Sequence, residues 1–99
     1  MSESRSHKTA ANRIADKYNT EYNNGEGVDI VTPGKAIEVE TPKSVQDGIQ
    51  QLQGHKKPAY IAGTNQDAVD KALELTQGTT IGVMNNQGNI MKSSSRKKS

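Results

Sequence analysis

The chain has 99 residues, of which only 30% are hydrophobic, and it contains no Cys, Phe or Trp. These figures predict one domain with a small core, and they exclude disulfides and thiolate zinc sites. No apolar run is long enough to span a bilayer, and the polar start lacks the apolar stretch of a signal peptide, so we expect a soluble, cytoplasmic protein without membrane contact.

The net charge of +2 is concentrated at the C-terminus, where Lys92, Arg96, Lys97 and Lys98 lie within eight residues. Segment 92–99 has no apolar residue, so we expect a disordered basic tail after a single domain at 7–91 and a flexible N-terminus at 1–6. Such tails contact phosphate backbones, although a solubilising terminus has the same composition.

Periodicity predicts three helices and six strands in the order α-β-β-β-α-β-α-β-β. Helical spacing and capping residues indicate helices, whereas alternation or short apolar runs indicate strands. The helices are predicted at about 6–18, 44–54 and 65–77, and the strands at 18–22, 27–31, 35–41, 58–62, 79–84 and 89–92. The fold class is therefore α/β, with a mixed β-sheet flanked by helices.

The second and third strands form a predicted hairpin that turns at Pro33 and Gly34. Pro followed by Gly favours a type II turn, which pairs Thr32 with Lys35 and places Asp29 opposite Glu38. Because side chains alternate along a strand, one face is predicted to carry the apolar residues Val28, Ile30, Ile37 and Val39.

The other face of the hairpin is predicted to carry three carboxylates, those of Asp29, Glu38 and Glu40. Like charges opposite one another destabilise a sheet by up to about 1 kcal/mol, so their presence favours a cation between them. Carboxylate oxygens are ligands for Mg²⁺. A solvated acidic face of an antiparallel hairpin has the same pattern, and spacing alone does not separate the two interpretations.

This arrangement resembles the PD-(D/E)XK nuclease superfamily, the restriction-endonuclease-like fold that includes archaeal Holliday-junction resolvases and Mrr-type endonucleases. The resemblance covers roughly residues 9–91 and centres on Gly27-Val-Asp-Ile-Val31 and Ile37-Glu-Val-Glu40. It implies that Asp29 and Glu38 bind Mg²⁺ or Mn²⁺, and that the protein is an endonuclease. Gly27-Val28 stands where the family often has Pro before the Asp.

Glu40 is the main departure from the family, because a Lys that positions or activates water is usual at its place. A third carboxylate favours a second divalent ion, which would replace the function of the ammonium group. Alternatively, Lys43 supplies that group, since Lys35 is expected to lie too far along the hairpin. The resemblance also suggests Gln50, in the following helix, as an accessory catalytic residue, although an exposed helical Gln is equally ordinary.

Basic residues suggest how nucleic acid is bound. We expect phosphate contacts from Lys35, from the cluster His55, Lys56 and Lys57, and from Arg96, Lys97 and Lys98 in the tail; a helix C-terminus also attracts such cations for local reasons. His7 has no neighbour at metal-ligand spacing.

Two functions remain open from the sequence. The first is a metal-dependent endonuclease acting on duplex or branched DNA, with Glu38 and Glu40 among its ligands. The second is a non-catalytic module that binds nucleic acid or a partner protein through a degenerate nuclease fold. The small core also favours a homodimer, for which the terminal hairpin is a candidate interface.

Overall fold

A computed structural model describes residues 5–23 and 28–95, with only the backbone at residues 5 and 6. These residues form a small α/β domain with three helices and a five-stranded mixed sheet. In chain order the elements are α1 (Arg5–Lys17), β1 (Ile30–Val31), β2 (Ala36–Glu40), α2 (Val45–Leu52), β3 (Ala59–Gly63), α3 (Gln66–Leu75), β4 (Gly82–Met84) and β5 (Ile90–Lys92).

The strands lie side by side in the order in which they occur in the chain. The central strands β2, β3 and β4 are parallel, whereas β1 and β5 pair antiparallel at the two edges. Parallel neighbours need crossover connections, which α2 and α3 supply. The parallel strands therefore all end at one side of the sheet, at Glu40, Gly63 and Met84, and we call this side the carboxyl edge.

Helices cover both faces of the sheet, as the sequence predicts. On one face, α2 and α3 pack against alternate strand residues, with Val45, Ile49, Leu52 and Ile61 at the centre. On the other face, α1 packs through Ala11 and Ile14 against Ile30, Ile37 and Val39. The expected partner Val28 instead packs with the α2 and α3 cluster, because the chain bends at Asp29 before β1 begins.

The turn between β1 and β2 confirms the predicted pairing but not the predicted turn type. Thr32 N donates to Lys35 O at 2.9 Å, so these two residues face each other. Gly34 does not have the positive φ that a type II turn requires. The Thr32 hydroxyl instead accepts hydrogen bonds from the backbone N–H groups of Gly34 at 3.2 Å and Lys35 at 2.9 Å, which closes the turn without positive φ.

The strand predicted at 18–22 is wrong, so the described order is α-β-β-α-β-α-β-β. Helix α1 ends at Lys17, and Asn19 adopts a left-handed conformation with φ of 55° that turns the chain. Tyr18 and Tyr22 then pack against the α1 cluster rather than alternating across a sheet. The alternating pattern at residues 18–22 therefore arises because Tyr18 and Tyr22 both pack on the cluster beneath α1, and not because the segment is a strand.

The first and last elements lie close to their predicted positions. Helix α1 begins at Arg5, one residue before the predicted start, and β5 ends at Lys92, where the predicted strand also ends. Beyond the strand, Ser94 Oγ and Ser95 N each donate to Thr80 O, at 2.7 and 3.0 Å. The remaining basic residues Arg96, Lys97 and Lys98 lie outside the described residues. Within the described ranges, every helix is too short or too polar to cross a membrane.

Candidate metal centre

The structure brings together the three carboxylates that the sequence singled out. Glu38 and Glu40 lie two residues apart on β2 and point toward α2, and Ile30 pairs with Ile37, which places Asp29 opposite Glu38. One oxygen from each of the three side chains lies within 4.8 Å of the others. The predicted convergence is confirmed, and this acidic triad is able to bind a metal ion.

Glu38 and Glu40 are buried and Asp29 is partly buried, so the triad is not a solvated acidic face. Glu38 is 3% exposed and Glu40 is 9% exposed. Glu38 Oε2 is completely buried and has no hydrogen-bond partner among the described residues. An unpaired buried carboxylate oxygen is costly, so burial here favours either a protonated Glu38 or a cation beside it.

Gly48 allows α2 to close over the triad. A Cβ at this position would lie 2.5 Å from Glu40 Oε2 and 2.7 Å from its Cγ, closer than packed atoms approach. Glycine therefore lets the helix backbone rest directly on the Glu40 side chain. This contact shields Glu40 from water and fixes one wall of the site.

Asp29 is held by groups from two other elements. Its Oδ2 accepts a hydrogen bond from Val39 N at 2.9 Å and lies 3.3 Å from His7 Nε2 on α1. The Tyr22 hydroxyl lies 3.3 Å from His7 Nδ1, and the two rings meet edge to face. When the Tyr22 hydroxyl donates to Nδ1, the neutral imidazole donates from Nε2, so Oδ2 receives two hydrogen bonds that orient the Asp29 carboxylate.

Burial and mutual repulsion change the protonation of the triad. Burial, followed by the charge of Asp29 and a hydrogen bond with it, raises the pKa of Glu38 from 4.5 to about 9. Burial also raises the pKa of Glu40 from 4.5 to about 7, although a hydrogen bond with Ser44 opposes this change. Without a metal ion, a pKa of about 9 keeps Glu38 protonated at neutral pH, where its carboxyl is hydrogen-bonded to Asp29.

The other two predicted catalytic residues do not join the triad. Lys43 and Gln50 are both exposed, and no contact of either with a triad carboxylate is found among the described residues. The residue of α2 that meets the triad is Gly48, two positions before Gln50. The structure thus provides no support for a role of Lys43 in place of the usual lysine.

The predicted phosphate-binding residues that the structure describes, Lys35 and residues 55–57, lie at the opposite side of the sheet from Glu40. Lys35 precedes β2, and its ammonium lies 4.8 Å from the centre of the Tyr18 ring. Lys57 precedes β3 and donates to Thr32 O at 2.9 Å, while the neighbouring Lys56 is exposed. The His55 ring accepts from Lys57 N at 3.2 Å. This basic group is therefore at the amino ends of the parallel strands and apart from the triad.

His7, Tyr22 and Gly48 are site residues that sequence reasoning missed. His7 precedes Asp29 by 22 residues, so only the packing of α1 on the sheet brings the two together. Gly48 could have been found from the sequence. A glycine inside a helix is unfavourable unless close packing requires it, so its position in α2 indicated a close contact there.

Neither a scan against models of known families nor searches of curated proteins and solved structures find a match to this chain. What the structure shows is a small α/β domain with a largely buried acidic triad that is able to hold a metal ion.

Proposed function

We propose that the protein is a metal-dependent endonuclease of the PD-(D/E)XK superfamily that hydrolyses phosphodiester bonds in nucleic acid, with DNA as the preferred substrate. The observation that carries this proposal is the buried triad of Asp29, Glu38 and Glu40, in which Glu38 Oε2 lacks a partner among the described residues. The restriction-endonuclease-like arrangement is part of the proposal, and the mixed sheet with helices on both faces is consistent with it.

The donor set fits a hard divalent cation such as Mg²⁺ or Mn²⁺. All three groups are carboxylates, and the few protein ligands leave room for the waters that Mg²⁺ retains. One carboxylate oxygen each of Asp29, Glu38 and Glu40 would hold the ion. When bound, it neutralises phosphate charge and lowers the pKa of a coordinated water.

The chain's own groups prepare this site. The Val39 N–H and His7 fix Asp29 through its Oδ2 atom, so its other oxygen keeps one orientation. Glu38 has to lose its proton before it binds a cation, because its pKa is raised to about 9 by burial and by Asp29. Metal binding is therefore coupled to proton release, and the affinity increases with pH.

No described lysine supplies an ammonium group to the triad. The ammonium groups of Lys35 and Lys57 contact Tyr18 and Thr32, and Lys43 is exposed. This favours activation of water by one or two metal ions alone. It is also the observation that supports the second candidate, a non-catalytic nucleic-acid-binding module on the same fold.

A homodimer remains part of the proposal. The edge strand β5 exposes Ile90 and Met91, which are 46% and 53% exposed. Exposed apolar residues on an unpaired edge strand favour association with a second copy. Sedimentation of the protein and of Met91→Lys tests this: the variant is expected to be monomeric, and a monomeric unmodified protein would contradict the proposal.

Cleavage assays with matched variants test the proposed activity. Linear duplex, branched and single-stranded DNA, together with RNA, are incubated with Mg²⁺ or Mn²⁺ and the protein. Asp29→Asn is expected to abolish cleavage, whereas Asp16→Asn, an equivalent change at an exposed site on α1, is expected to retain it. Metal binding without cleavage of any substrate would overturn the nuclease proposal in favour of the non-catalytic module.

A further inference from the structure

A second polar cleft lies at the carboxyl edge and shares no side chain with the triad. Its volume is about 240 Å³, and it is lined by the start of α3 and by the β4–β5 turn, through Asn65, Gln66, Val69, Asn85, Asn86 and Gln87. Five of these six residues are amides, and none is charged. We call it the amide cleft.

The orientation of Asn85 is fixed by the turn that it stabilises. Its Oδ1 accepts hydrogen bonds from Gln87 N at 2.9 Å and from Asn89 N at 3.0 Å. Because only the oxygen is able to accept, the side-chain NH₂ group points the other way. Among the described residues this NH₂ has no partner, so it offers two donors to a ligand.

The remaining amides add acceptors and further donors. Gln66 donates from Nε2 to Asp70, which leaves its Oε1 unused, and Asn86 donates from Nδ2 to Thr64 O, which leaves its Oδ1 unused. The exposed Gln87 side chain makes no hydrogen bond to the described part of the chain. The cleft thus offers both donors and acceptors and carries no charge.

This chemistry selects against a phosphate group and in favour of a nucleobase. A phosphate is best held by cations or free N–H groups, but the lining has no cation and the Asn65 side chain already accepts from Ala68 N. Asp67 places a negative charge in the first turn of α3, which disfavours an anion there. The edges of bases present donors and acceptors together, and Asn and Gln pair with them, most often with adenine.

The cleft is connected to the triad along the carboxyl edge. Thr64 N donates to Glu40 O at 3.0 Å, and Thr64 O in turn accepts from Asn86 Nδ2 at 3.4 Å. Neighbouring strands lie about 4.8 Å apart, so the end of β4 is about 10 Å from the end of β2. One nucleic-acid strand is able to reach both places.

We propose that the amide cleft binds an unpaired nucleobase of the nucleic acid that the protein contacts. This inference rests on the proposed function for its ligand class but not on catalysis. It assigns Asn85 and Gln87 to base recognition, because their side-chain NH₂ groups are unpaired at the lip of the cleft.

The test uses the full chain in EDTA, so that no metal-dependent cleavage occurs. A short single-stranded oligodeoxyadenylate and an abasic oligomer of equal length are titrated while the side-chain NH₂ signals of Asn and Gln are followed by NMR. The signals of Asn85 and Gln87 are expected to shift with the adenine oligomer and not with the abasic one. Equal shifts with both oligomers, or no shift with either, would overturn the proposal.

Two variants and a control make the test specific. Asn85→Asp retains the acceptor that holds the turn and removes the NH₂ donors, and Gln87→Ala removes an amide with no structural bond. Each is expected to weaken binding about tenfold, the value of one base contact, whereas the exposed Gln77→Glu is expected to leave it unchanged. Unchanged affinity in both variants would contradict the assignment. Base binding without a metal response at Asp29 would overturn the nuclease proposal alone.

Discussion

The dependence of stability on pH reports directly on the proton that Glu38 holds. Burial and then Asp29 raise the pKa of this carboxyl to about 9 from the value of 4.5 expected in the unfolded chain. Below the lower value both states are protonated. Between the two values the folded protein keeps a proton that the unfolded chain releases, so the free energy of unfolding falls as the pH rises.

The expected slope is about 1.4 kcal/mol per pH unit for this one proton. From about pH 5 to pH 8, Glu38 alone therefore lowers the free energy of unfolding by about 4 kcal/mol, a large share of the 5–15 kcal/mol typical of folded domains. Glu38→Gln has no proton to release, and its amide is able to donate to Asp29 as the carboxyl does. The variant is therefore expected to gain about 4 kcal/mol on the unmodified protein across this range.

Urea denaturation followed by circular dichroism measures this difference, in EDTA, at several pH values between about 5 and 8. Glu40 titrates in both proteins, so its contribution cancels in the comparison. Glu74→Gln, a change of an exposed glutamate on α3, serves as the control and is expected to follow the unmodified protein. Parallel curves for the unmodified protein and Glu38→Gln would refute the inferred buried, protonated state.

Three further substitutions test individual contacts. His7→Ala removes the imidazole donor to Asp29, so Mg²⁺ binding measured by calorimetry is expected to weaken about tenfold, as for other groups that orient a metal ligand. Gly48→Ala places a Cβ against Glu40, and a crystal structure is expected to show the carboxylate displaced, with weaker Mg²⁺ binding. Lys92→Met removes an ammonium that donates at 2.7 Å to Thr76 O, just after α3. The free energy of unfolding, measured by urea denaturation, is therefore expected to fall by about 1–2 kcal/mol.

Matched changes show whether these effects are local. His55→Ala removes the other histidine and is expected to leave Mg²⁺ affinity unchanged. Lys71→Met, at an exposed position on α3, is expected to cost less than about 0.5 kcal/mol. If His7→Ala and His55→Ala have equal Mg²⁺ affinities, His7 does not orient Asp29; if the two lysine variants are equally stable, Lys92 does not cap α3.

The acidic hairpin was predictable because its determinants are local. Two residues link Thr32 to Lys35, and this short connection sets the register that places Asp29 opposite Glu38. The face that carries Glu38 and Glu40 then follows from alternation along β2. The turn type was missed because the Thr32 hydroxyl, rather than Gly34, determines its geometry.

The burial and the surroundings of the triad were not predictable from local patterns. Whether a carboxylate face is wet or covered depends on where α2 lies, and that position is set by contacts between residues distant in sequence. The same reason applies to His7, which reaches Asp29 only because α1 packs on the opposite face of the sheet. Lys92 was predicted both as the end of the last strand and as the start of the basic tail, and no local pattern indicated that its ammonium donates to Thr76 O and Oγ1.

Titration of Mg²⁺ and Mn²⁺ into isotope-labelled protein at about pH 8 tests the metal centre most directly. We expect the carboxyl signals of Asp29, Glu38 and Glu40 to respond together to Mg²⁺ and Mn²⁺ to broaden the same signals. Protons are also expected to be released, because the pKa of Glu38 is raised to about 9. Unchanged carboxyl signals at millimolar concentrations of both ions would contradict the metal centre and leave the triad as a group held together by the protonated Glu38.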